Sequence, residues 1–188
     1  RNPYGAGWLQ VVRLPGERQA VLPVASGLQA DPALKNAPVS LPPARENADW
    51  PQATGIFTAA DSHLAVKGDF SQSESASAGG GESFEHLLMP RPVAGDGMVF
   101  AMDAAGEISA HDAADISTVR WRAQALVDED GDVSGGGLAY SEGRLFAATG
   151  QGSLAAFDAA SGAVLWQKTG QPPFRSAPII SGGKLFVI

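Results

Sequence analysis

The sequence has 188 residues, 44% of them hydrophobic, and its 13 basic and 20 acidic side chains leave a net charge of −7. The basic residues are scattered and form no stripe, which argues against nucleic-acid binding, and no run approaches the roughly 18 apolar residues of a membrane-spanning helix. With no cysteine, the chain can hold no disulfide, no thiolate metal site and no cysteine nucleophile.

The N-terminus lacks a basic segment followed by an apolar run, so any secretion signal or lipid-bearing cysteine would have to precede Arg1. From Arg1 to Asp49, Pro3, Pro15, Pro23, Pro32, Pro38, Pro42 and Pro43 fall too close together for a long helix, and an extended arm is expected. The aliphatic residues of VLPVASGLQADPALKNAPVSLPP give this arm enough apolar surface to lie on something. Trp50, Pro51 and Gln52 open the next segment, with a strand start at Gly55 to Thr58. The run from Ser71 to Ser83 reads as a flexible loop. Its glycines Gly79 to Gly81 have neither the GK[ST] nor the strand-to-helix context of a phosphate loop.

A repeat then takes over. Gly97, Phe100, Gly106 and Asp112 recur 46 residues later as Gly143, Phe146, Gly152 and Asp158, and Trp121 recurs 45 later as Trp166. Gly183 and Phe186 follow Gly143 and Phe146 by 40. Short apolar runs punctuated by turn residues at a period of roughly 40 to 50 are the mark of propeller blades. In the first copy, strands are expected at Pro92 to Ala94, Met98 to Met102, Glu107 to His111 and Thr118 to Trp121, with a tight Asp96-Gly97 hairpin. The second copy places strands at Leu145 to Ala148, Leu154 to Phe157 and Val164 to Trp166. Asp112 and Asp158 begin DAA turns, where a short carboxylate can bind backbone amides. The expected fold is therefore all-β: a partial β-propeller of about two and a half four-stranded blades, with the arm at residues 1–49 and propeller at 50–188. The third copy starts at PIISGGKLFVI and is cut inside a strand, so this is read as the N-terminal part of a longer ring.

No catalytic constellation, cofactor site or metal site is expected. The acidic run Asp128 to Asp132 puts Val133 where a calcium loop needs Gly and Ala139 where it needs a bidentate Glu. His63, His86 and His111 stand far apart, and His111 reads as a packed or rim residue of the third strand. Glu74, Glu82 and Glu85 read as solubilising.

The repeat, G-x-(V/L)-F then G-x-(I/L)-x-A-x-DAA then Trp, resembles the pyrroloquinoline-quinone-like propeller repeat, in which the terminal Trp docks on the adjacent blade. LPGERQAVLP, LPPARENADWPQ, GGGLAYSEGRLF and RSAP narrow the resemblance to the alphaproteobacterial form of the BamB outer-membrane assembly-factor family. The sequence departs from that pattern at Ala53, Thr54 and Gly55 and in the Ser-rich loop. The resemblance implies an eight-bladed lipoprotein propeller at the periplasmic face of the outer membrane. It further implies a non-enzymatic scaffold, without cofactor, whose protein partners are the periplasmic domains of the central barrel-assembly subunit. Phe174 and Arg175, before Ser176, Ala177 and Pro178, partly match a partner-contact loop of the family, although they fall one blade early; they are the only partner-binding candidates, and ordering a rim turn is the plainer role for Arg175. The same repeat also builds quinone-dependent dehydrogenases, which is the alternative reading.

Overall fold

A computed structural model describes residues 31–38, 40–53, 63–66, 73–80, 90–125 and 135–188. The first thirty residues of the arm, the strand expected at Gly55 to Thr58, His86 and the acidic run Asp128 to Asp132 lie outside the described residues. The chain divides into two units, Arg1–Ser40 and Leu41–Ile188. In the first, Asp31 caps a 3₁₀ turn, Pro32–Leu34, by accepting from Ala33 N at 2.9 Å.

The second unit is built of antiparallel sheets, and the described residues contain no α-helix. Strands β1 (Val93–Gly95), β2 (Met98–Met102), β3 (Glu107–Asp112) and β4 (Val119–Gln124) form one four-stranded meander. Strands β5 (Gly136–Ser141), β6 (Arg144–Thr149), β7 (Leu154–Asp158) and β8 (Val164–Lys168) form the second, and β9 (Ile179–Ser181) with β10 (Lys184–Phe186) begin a third. The registers repeat with the sequence: Phe100 pairs with Ala110 and Phe146 with Ala156, while Trp121 pairs with Ala110 and Trp166 with Ala156. Each third-to-fourth strand pair carries a bulge at the same place, after Ala110 and after Ala156. The fourth strands run longer than expected, to Gln124 and Lys168.

The core lies between the first two sheets. Val93, Phe100, Met102, Ile108 and Ala110 of one face Leu138, Tyr140, Leu145, Ala147, Ala155 and Phe157 of the other, all buried. The alanines let the sheets approach, and the aromatics fill what remains. Phe100 stacks on Tyr140 with ring centroids 5.9 Å apart and tilts against Trp121 at 5.8 Å. First strands of neighbouring sheets lie beside one another, β1 with β5 and β5 with β9, so the sheets radiate as blades from an inner edge.

Candidate partner-binding surface

The first blade is locked to the second at its outer edge. The Trp121 indole N–H donates to Ala159 O at 2.9 Å, across the seam and into the DAA turn of the second blade. Its ring lies flat over Gly162, whose φ of +74° suits glycine, and a Cβ there would sit 2.7 Å from Trp121 Cδ2. That turn is itself shaped by Asp158, whose Oδ1 accepts from Ser161 N at 2.9 Å and Ser161 Oγ at 2.6 Å. Asp112, its counterpart, accepts from Ala114 N at 2.8 Å and from Arg120 Nε at 3.1 Å. The Arg120 hydrogen bond and the Ala114 amide hold the Asp112 carboxyl below its ordinary value, whereas Ser161 does the same for Asp158. Tyr140, buried at the seam, accepts from Gly143 N at 3.1 Å; burial first, then its bond to Asp96, pushes its hydroxyl up to about 12.

The inner edges are joined by Trp50, Pro51 and Gln52. Trp50 exchanges two 2.8 Å backbone bonds with Ala94 of β1, Pro51 O accepts from Tyr140 N of β5 at 2.7 Å, and Gln52 Nε2 donates to Ile180 O of β9 at 3.2 Å. Three consecutive residues thus touch three consecutive blades. The Pro-rich segment before them is fixed to 63–66: Arg45 N donates to His63 O at 2.9 Å, Ala65 N to Arg45 O at 2.7 Å, and His63 Nδ1 lies 2.6 Å from Pro42 O.

Phe174 and Arg175 lie on the connection between the second blade and β9. Phe174 is buried, its N–H donates to Thr149 O at 3.3 Å, and Arg175 N donates to Ile188 O at 2.8 Å. The triple glycine makes this connection fit: a Cβ on Gly135 would meet Phe174 O at 2.6 Å, and one on Gly137 would meet Ala177 Cβ at 2.6 Å. Phe174 is thus a packing residue, and of the two candidates only Arg175 presents its side chain to solvent. Arg175 lines a cleft of about 350 Å³ with Gln52, Arg91, Gly136, Ser176 and Pro178. This cleft opens where the first strands begin, on the same end of the blades as the inter-blade connections.

The opposite face of the first blade is polar. Asp103 Oδ1 accepts from Ala105 N at 2.9 Å and Glu107 N at 2.8 Å, and its Oδ2 accepts from Gly80 N at 2.8 Å. Ser109 and His111, both buried, share a 3.0 Å contact, and His111 Nδ1 lies 2.8 Å from Ile116 O. In the second blade the corresponding residues are Thr149, Ala155 and Phe157. Asp103 holds the described part of the Ser-rich loop against the first blade, a role with no mark in the sequence beyond an aspartate one residue before Ala-Ala-Gly. Among the described residues no group of three or more His, Asp or Glu side chains converges as a metal site would require.

A model of the family described as "Outer membrane protein assembly factor BamB" matches residues 104–188. No curated protein matches the chain. Among solved structures, the quinohemoprotein alcohol dehydrogenase from Comamonas testosteroni aligns over 76% of this chain and 23% of its own, at 21% identity and a TM-score of 0.57. A europium-containing methanol dehydrogenase aligns over 56% of this chain and 21% of its own, at 22% identity and a TM-score of 0.46. BamB from Moraxella catarrhalis aligns over 48% of this chain and 26% of its own, at 19% identity and a TM-score of 0.39. The chain thus spans about a quarter of these proteins or less, and identities at this level speak to fold alone. The chain carries repeats of the pyrroloquinoline-quinone-like β-propeller superfamily, and over residues 104–188 it is similar to the family of the outer-membrane assembly factor BamB.

Proposed function

We propose that the protein is a non-enzymatic scaffold of the outer-membrane β-barrel assembly machinery, a lipoprotein at the periplasmic face of the outer membrane. Its propeller loops bind the periplasmic domains of the central barrel-assembly subunit. The observation that carries this reading is the similarity of residues 104–188 to the assembly-factor family. The architecture is compatible with it: blades locked by Trp121 outside and by Trp50 to Gln52 inside make a stiff support for the loops at their ends. Stiffness matters because loops held in place lose little freedom when a partner docks.

The second reading, a quinone-dependent dehydrogenase, draws on the fold likeness to the Comamonas testosteroni enzyme. Affinity purification of the tagged full-length protein from detergent-solubilised envelope, followed by mass spectrometry, separates the two. Recovery of barrel-assembly subunits above an untagged control supports the scaffold. Their absence, together with a co-purifying chromophore that absorbs in the near ultraviolet, favours the dehydrogenase.

A further inference from the structure

From the cleft where the first strands of the three blades begin we infer a docking site for an acidic, extended segment of a protein partner, whose carboxylates are gripped by Arg91 and Arg175. The inference rests on the scaffold reading and adds to it the place and chemistry of contact. Three observations carry it.

The first is charge. The chain bears a net −7, yet the described lining of this cleft contains two arginines and no carboxylate. Among the described residues neither guanidinium has an ion pair or a hydrogen bond, whereas Arg120 and Arg122 on the first blade are paired with Asp112 and Glu107. Two open guanidinium forks on one concavity are a receptor for carboxylates, each able to take one in bidentate fashion.

The second is that both arginines stand on fixed backbone. Arg91 lies between Pro90 and Pro92, which lock their own φ and confine the residue before each, and leads directly into β1. Arg175 is held by its own N–H on Ile188 O, by buried Phe174 before it, and by the glycines of β5 behind. Little order remains to be created on binding, so the charge pairs contribute more to affinity than they would on mobile loops.

The third is shape. Ala53, Ala177, Pro178 and Ile179 give the cleft a small apolar floor, and about 350 Å³ accommodates one or two side chains. An extended peptide that alternates acidic and apolar residues sends its acidic side chains one way and its apolar ones the other. Such a segment can set two of its acidic side chains, all on one side, onto the arginines, with their methylene stems over the apolar floor.

The test uses the full-length protein and a fluorescein-labelled octapeptide of alternating Glu and Leu, with the Gln-for-Glu peptide and phosphatidylglycerol vesicles as comparisons. The Glu peptide is expected to bind, to weaken as salt rises, and to lose at least ten-fold in affinity in the Arg91→Gln, Arg175→Gln double variant. Both side chains are solvent-facing, so circular dichroism of the variant should match the parent. Equal binding of the Gln peptide, unchanged affinity in the double variant, or binding to vesicles alone would overturn the inference. Co-purification of barrel-assembly subunits with the double variant at parental levels would also sink this cleft while leaving the scaffold reading intact; loss of co-purification by the parent itself would instead sink the scaffold reading.

Discussion

Trp121 and Gly162 form one device split between two blades: a plate that donates one hydrogen bond, and a turn with no side chain to obstruct it. Replacing Trp121 with Ala should cost about 2–4 kcal/mol, because the ring's burial and its bond to Ala159 O vanish together. Gly162→Ala should cost about 1–3 kcal/mol through left-handed strain and the clash with the indole. In the Trp121→Ala background the clash is gone, so a double-mutant cycle read by urea denaturation of the full-length protein should be non-additive; strict additivity would mean the two do not touch. The aspartates at the DAA turns differ in a testable way. Both have lowered carboxyl values, so what they contribute to stability is present above the ordinary carboxyl value of 3.8 and lost as pH falls through their folded values. Asp112 owes its shift chiefly to Arg120 and Asp158 to Ser161. Carboxyl NMR titration should therefore move the Asp112 midpoint upward in Arg120→Gln and leave Asp158 where it was, and the reverse pattern would refute the assignment.

At the level of elements, the first two blades are meanders joined at their outer edges by Trp121, and the inner edges are joined by the Trp50 to Gln52 segment. Gln52→Ala removes the one side-chain bond that this segment makes to β9, so amide exchange at Ile180 and Leu185 should accelerate while β2 and β6 stay protected. Exchange that rises equally in all three blades would show that the bond has no local role. Asp103→Ala orphans three backbone donors at once, and a loss of about 1–3 kcal/mol is expected, together with earlier proteolysis between Ser73 and Gly80. Much of the blade pattern was legible in the sequence, because Phe100 and Phe146, Gly106 and Gly152, and Asp112 and Asp158 recur in step. The inner junction was legible only as a landmark. Trp50 to Gln52 has no periodicity, and the strand partners of Trp50 and Pro51, Ala94 and Tyr140, lie 44 and 89 residues away in number.

Over the whole molecule, the second and third blades leave apolar surface open. Val164, Leu165 and Trp166 are 54%, 50% and 38% exposed, and Ile179 and Phe186 are 45% and 52% exposed. Open strand edges carrying such residues pair with other chains. A polypeptide limited to residues 1–188 should therefore self-associate in sedimentation velocity and unfold over a broad range of urea. A monomer with one sharp transition would show that two and a half blades suffice.

The sequence by itself determined the blade: its period, its four strands, its DAA turns and the Trp that closes it, because these are short-range or periodic features written in residue type. It also carried the resemblance to a propeller superfamily. Tertiary structure alone decided which groups meet across blades. Arg91 and Arg175 are 84 residues apart in number and line one cleft, Phe174 proves to be core while its neighbour faces solvent, and Asp103 captures Gly80 from another segment. The physical reason is that a hydrogen bond or charge contact between distant segments imposes no spacing on the sequence. Only the packing of the sheets brings such groups within reach.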